Sequence, residues 1–206
     1  MTRVVKKPAE RRAEIIKTAR DLFLKKEYDK TTMQDVMEHL GIAKGTIYHY
    51  FDSKEALLEA TVVDTVDARL TDIEAMLQKS KKKALAKIKQ VVELGNIAKE
   101  NEKLLTPLHS PSNAAMHIRI LSEMINKLAP IYEKLIRQGC DEGIFQTEHP
   151  LECAEFLLSG VQLLTDIGIY PWTPHDLKRR TQAFPRLIEQ LLQAPPGSFQ
   201  FMQQFT

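Results

Sequence analysis

The amino-acid sequence predicts an all-α protein, and three observations carry that prediction. Apolar residues recur at three- and four-residue spacing along most of the chain, the period of a helix with one buried face. Leu, Ile, Ala, Lys and Glu are abundant, and no long alternating β-branched run reads as a strand. With eight glycines in 206 residues, the chain also has little of the turn chemistry that a large sheet needs.

Composition bounds what such a protein can be. A chain of 206 residues is long enough for one large domain or two small ones. An apolar fraction of 43% and a charged fraction of 27% are those of an ordinary soluble globular protein. A net charge of +2 is too small to imply a polyanion partner by itself, so any nucleic-acid footprint must come from local clustering. The two cysteines, Cys140 and Cys153, make no disulfide framework. The start, MTRVVKKPAERR, lacks the apolar segment of a secretion signal, and no stretch approaches the roughly 18 apolar residues of a membrane span. The expectation is a cytoplasmic, soluble protein.

Residues 1–12 form a basic arm, with Arg3, Lys6, Lys7, Arg11 and Arg12 against the single acid Glu10. Such an arm can lie along phosphates or enter a minor groove, or it can be a solvated tail, and the sequence leaves both open. Pro8 and Ala9 open the first helix, where proline is well tolerated. Ile15, Ala19, Leu22 and Phe23 give it an inner face that Tyr28 continues.

The stretch Thr31–Phe51 reads as two short helices around a tight turn. Thr31 or Thr32 can cap the first, because a hydroxyl accepts an unpaired amide proton of the opening turn. Met33, Val36, Met37 and Leu40 define its apolar face. Gly41 comes next, where a left-handed residue ends a helix cheaply without a Cβ. In the second helix, Ile47 and Phe51 point the same way at roughly 100° per residue and must be buried. The outer face then carries Lys44, Gly45, Thr46, Tyr48 and His49 and no acid. Its ammonium, hydroxyls and imidazole can donate to phosphates or base acceptors, and its glycine allows close approach. Two small helices joined in this way are the helix-turn-helix unit of DNA-binding proteins.

The run from about Ala13 to Ala60 resembles the TetR (TetR/AcrR) family of transcriptional regulators. The residues that carry the resemblance are Ile15, Ala19, Leu22 and Phe23, then Thr31, Thr32 and Val36. They continue through Leu40-Gly41-Ile42-Ala43-Lys44-Gly45-Thr46-Ile47-Tyr48, Tyr50 and Phe51 to Ser53-Lys54-Glu55-Ala56-Leu57-Leu58. A bare helix-turn-helix pattern is weak, whereas this combination in register is specific.

Beyond Phe51 the pattern is again helical. Asp52-Ser53 caps a helix whose stripe runs through Leu57, Leu58, Val62, Val66, Leu70, Ile73 and Leu77. Lys54 sits in its first turn, against the helix dipole, and the resemblance implies that it reaches a DNA phosphate. Lys79, Lys81, Lys82, Lys83, Lys87 and Lys89 can be a second DNA contact, but read more simply as an exposed bend and the polar face of a helix with Leu85, Ile88, Val91 and Val92 inside. Helix weakens near Asn101, and Pro107 and Pro111 break it. A long helix then spans about Asn113 to Gly139, with Pro130 as a kink. Another runs from Leu151 to about Ile169, and a last one from about His175 to Gln193. The tail from Pro195 reads as irregular.

The resemblance implies an N-terminal basic arm and three-helix DNA-binding domain over 1–54, then a C-terminal helical effector-binding and dimerisation domain over 55–206, about nine helices in all. It implies a homodimer through about 150–193 on a pseudopalindromic double-stranded DNA operator, most simply as a repressor that a small, largely apolar effector releases. Thr31, Thr32, Tyr48 and Lys54 would grip phosphates, while Lys44, Gly45, Thr46 and His49 approach bases. Candidate effector contacts are the polar or aromatic residues set in apolar runs: Asn96, His117, Glu123, Asp166 and Trp172.

Other classes find less support. His149 and Cys153, with Glu148 and Cys140 nearby, are interrupted by Pro150 and match no metal-binding spacing. No nucleophile motif, phosphate-cradling glycine loop or paired-carboxylate site suggests an enzyme, and no cofactor is implied. The alternatives are a DNA-binding protein without an effector, whose C-terminal core would be fully packed, and a helical interaction protein that binds no DNA.

Overall fold

The structure, a computed structural model, describes residues 6–95 and 98–205, and the side chains of 6–95 and 101–203. Among the described residues it is all helical, in nine α-helices with short 3-10 turns. The sequence periods account for most of them: α1 (Pro8–Lys26), α2 (Met33–Leu40), α3 (Lys44–Tyr50), α4 (Lys54–Lys79), α5 (Ala84–Gly95), α6 (Ala98–Leu105), α7 (Ala114–Asp141), α8 (Pro150–Thr165) and α9 (Pro174–Leu191). None is long and apolar enough to cross a membrane among the described residues.

The chain packs as two compact units, Met1–Asp67 with Ala98–Met116, and Ala68–Ile97 with His117–Thr206. This division differs from a single cut after Lys54. The first turns of α4 bury Leu57, Leu58, Val62 and Val66 in the first unit. Leu104, Leu108 and Met116 return there later in the chain, because α6 packs against α1. Asn101 breaks the regularity of α6 with φ −123° and ψ 21°. Beyond it lie 3-10 turns at Thr106–His109 and Pro111–Asn113, where the prolines forbid helical hydrogen bonds.

The second unit has its own core. Ile73 of α4, Ile88 and Val91 of α5, Ile131, Leu135 and Ile136 of α7, and Phe184 and Ile188 of α9 are buried together. The helix α7 runs on through Pro130 and α9 through Pro185. The segment after Pro195 is not irregular as the sequence suggests. It turns as a 3-10 segment at Gln200–Phe205. Phe199 is buried there and stacks on Phe145 with ring centroids 5.9 Å apart. The Phe199 amide also donates to the Glu189 carboxylate at 3.2 Å, and Phe201 and Met202 pack on the same core, so tertiary contacts fix a tail that carries no helical period of its own.

Candidate nucleic-acid interface

The reading unit is built from local chemistry. Thr32 is the N-cap of α2: its hydroxyl accepts from the Asp35 amide at 3.1 Å, and the Asp35 carboxylate accepts from the Thr32 amide at 2.8 Å. Lys26 adds an ion pair to Asp35 at 3.0 Å. Gly41 ends α2 at φ 61° and ψ 37°, the left-handed cap that the sequence predicts, and passes the chain into α3. Val36 and Met37 from α2 and Ile47 and Phe51 around α3 are buried, which fixes the rotation of α3 about its axis.

That rotation decides what faces outward. Lys44, Gly45, Tyr48 and His49 are exposed and Thr46 is half-buried, with no acidic residue in the first turn. The Lys44 ammonium lies 5.6 Å from the Tyr48 ring centroid, and the His49 ring meets Tyr50 edge-on at 5.1 Å. A methyl added at Gly45 would meet nothing within 4 Å. The fold therefore does not require glycine there, although glycine weakens a helix relative to alanine.

Thr31, Thr32, Gln34, Lys44, Tyr48 and Lys54 line a shallow concavity of about 410 Å³ where the start of α2 meets α3. Gln34 is an addition to the residues that the sequence pattern singles out. Its one signal there is an exposed position in the first turn of α2, opposite the buried Val36.

Three residues expected at phosphates are hydrogen-bonded within the subunit: Thr32, whose hydroxyl donates to the Asp35 carboxylate at 2.8 Å but which stays exposed, and two that are more deeply engaged. Thr31 is 0% exposed, and its hydroxyl donates to the Glu27 carbonyl at 2.8 Å. It ties down the α1–α2 corner and cannot touch a phosphate. The Lys54 ammonium donates to the carbonyls of Tyr28 at 3.0 Å and Thr31 at 3.1 Å and sits 4.0 Å from the Tyr28 ring centroid. Those bonds explain a lysine in the first turn of α4, because the ammonium closes the α1–α2 corner by satisfying two of its carbonyls. In the arm, the described basic residues Lys6 and Arg11 both pair with Glu14, and Arg12 covers the Phe51 ring at 5.3 Å. Arg3 lies outside the described residues.

The second unit holds a cavity of about 390 Å³ among α5, α7, α8, α9 and the tail. None of His117, Glu123, Asp166 and Trp172 lines it, and Asn96 lies outside the described residues. The buried His117 bonds Asp166 at 3.0 Å, while the same carboxylate caps the Gly168 and Ile169 amides at 2.8 and 3.1 Å. Glu123 pairs with Lys127 one helical turn away at 2.7 Å. Trp172 is stacked between Tyr170, at 4.9 Å, and the Arg180 guanidinium, at 3.5 Å. Each titratable group among these candidates is satisfied by a neighbour. The polar members of the cavity are Tyr132, Gln162 and Thr165 instead. In the sequence they stand inside unbroken helical stripes, and nothing in a linear pattern separates them from ordinary helix-surface residues.

Comparison with known proteins agrees with this architecture. Residues 15–61 match the model of the bacterial regulatory proteins of the tetR family. Residues 96–187 match the tetracyclin repressor-like C-terminal domain. The HTH-type transcriptional regulator YfiR of Bacillus subtilis is 27% identical over 156 residues, which is 72% of this chain and 75% of that protein. The HTH-type transcriptional repressor KstR2 of Mycolicibacterium smegmatis is 37% identical over 60 residues, 29% of each chain, so that likeness spans well under half of KstR2. Among solved structures, a transcriptional regulator from Cytophaga hutchinsonii superposes with a TM-score of 0.62 at 21% identity, covering 92% of this chain and 95% of that one.

Proposed function

The chain belongs to the TetR family and is a DNA-binding transcriptional regulator, and from that premise we propose that it is a homodimeric repressor, acting in the cytoplasm, that a small apolar effector releases from a pseudopalindromic operator. The observation that carries the DNA-reading role is the outer face of α3. It is exposed, free of acid and opened by a glycine that the fold does not need. Lys44, Gly45, Thr46 and His49 approach base edges in the major groove, and Thr32, Gln34 and Tyr48 hold phosphates beside them.

Dimerisation is supported by α8 and α9, which pack on one another and leave Phe156, Leu164, Leu187 and Leu191 exposed. Phe156 alone is 70% exposed, an arrangement that favours cover by a second copy. A two-fold dimer places its reading helices on half-sites about 34–36 Å apart. Effector control is supported by the concavity of about 390 Å³ in the second unit, whose lining is mostly aliphatic. The helix α4 begins in the first unit and ends in the second, and it is a covalent route by which an occupied cavity alters the spacing of the two reading helices. Switching operator occupancy from 99:1 to 1:99 takes about 5.5 kcal/mol of preference for the released state, which two ligands per dimer share.

Selection of bound sites from random DNA tests the reading. The wild-type protein should enrich one palindromic sequence. His49→Ala should relax base preference at one position of each half-site, by about 1–3 kcal/mol of lost discrimination. Lys44→Ala should likewise relax base preference at its own position of each half-site, by about 1–3 kcal/mol. Equal and salt-independent affinity for all sequences in the wild type would sink the assignment.

A further inference from the structure

The cavity of the second unit has a definite chemical character. Its walls are aliphatic, from Val91 and Val92 of α5 through Leu128 of α7 to Leu157 and Val161 of α8. Among the described residues, no Lys, Arg, His, Asp or Glu lines it. Its polar groups are few and differ in one respect. The Thr165 hydroxyl already donates to the Val161 carbonyl at 2.8 Å. The Gln162 carboxamide instead has only the thioether of Met124 as a partner, at 3.9 Å, and sulfur is a weak acceptor. The Tyr132 phenol has no hydrogen-bond partner among the described residues, and burial alone raises its proton affinity.

Two half-buried polar groups without an oxygen or nitrogen partner, from α7 and α8, thus face one space of about 390 Å³, a volume within the range of small-molecule sites. A charged ligand would lose its hydration with no counter-charge to meet it, which is the costliest burial there is. An aliphatic ligand with one hydroxyl or carbonyl loses little water and can hydrogen-bond both groups.

We propose that this cavity binds an uncharged, mainly aliphatic molecule with a single hydroxyl or carbonyl, which the Tyr132 phenol and the Gln162 carboxamide hold. The inference rests on the reading of the chain as an effector-controlled regulator and names the chemistry of its effector.

Four probes of equal chain length test it by calorimetry on the full-length protein: decanol, decanoate, decyltrimethylammonium and chlorodecane. Decanol should bind at least roughly a hundredfold more tightly than either ion. Tyr132→Phe and Gln162→Leu keep the volume of the site and should each weaken decanol about fivefold while leaving chlorodecane, which has no hydroxyl, unchanged. Val161→Trp fills the lumen and should abolish binding of both without lowering the thermal midpoint below that of the other variants. Decanoate or decyltrimethylammonium binding as tightly as decanol, and lost in Val161→Trp, overturns the uncharged class. No binding by any probe, or equal losses of decanol and chlorodecane in Tyr132→Phe, overturns the site. Regulation is read separately, on the palindromic DNA that the wild-type protein selects. Decanol that binds the cavity and leaves DNA affinity unchanged refutes effector control while the ligand chemistry stands.

Discussion

Single residues divide by whether their atoms are already engaged within the subunit. Gly45 is the clearest case of one that is not. Because a Cβ there meets nothing, Gly45→Ala should stabilise the free protein by about 0.5–1 kcal/mol through helix propensity. The same change should weaken operator binding, so chemical denaturation and DNA titration are expected to move in opposite directions. Lys54 is the converse. Two of its three donors go to carbonyls and its charge sits over a ring, so Lys54→Met should cost about 1.5–3 kcal/mol of stability, the range for hydrogen bonds to charged groups. The salt slope of DNA binding should stay that of the wild type. A slope reduced by about one unit with stability unchanged would return this lysine to the phosphate backbone.

At the scale of the element, α2 depends on its opening turn, since only Val36 and Met37 among its eight residues are buried. Thr32→Ala removes the cap and should cost about 1 kcal/mol. The Asp35 carboxylate is held at about 2, chiefly by the Lys26 ammonium and then by hydrogen bonds from Thr32. A carboxylate whose folded value is depressed contributes stability that is complete above its unfolded value, near 4, and is lost as the pH falls toward the folded value. Urea unfolding measured from about pH 5 down to about pH 2 should therefore lose stability, and Asp35→Asn should flatten part of that decline. An identical decline in the variant would show that other acids carry it.

The whole molecule adds what no element holds alone. The exposed apolar residues of α8 and α9 belong to helices that are stable only because their other faces are buried, at Cys153 and Ala154 in α8 and at Phe184 and Ile188 in α9. Phe156→Glu combined with Leu187→Glu should leave helix content intact and give a monomer in sedimentation analysis. Operator affinity should then fall by orders of magnitude, because each half-site alone buries too little for tight binding. A dimer that survives both charges would move the interface elsewhere.

By itself the sequence determined the helices and the DNA-reading unit. Caps, the glycine turn and apolar spacing act over three or four residues, so Thr32, Gly41, Ile47 and Phe51 have the same role in the structure as in the pattern. The tertiary structure decided which polar groups are occupied. Thr31 and Lys54 are spent on carbonyls of the α1–α2 corner, and His117 and Asp166 on each other across a separation of 49 residues. It also placed Phe199 against Phe145 and left Tyr132 and Gln162 facing an unfilled space. Pairing and vacancy are set by contacts between residues distant in the chain, and a local period carries no information about them.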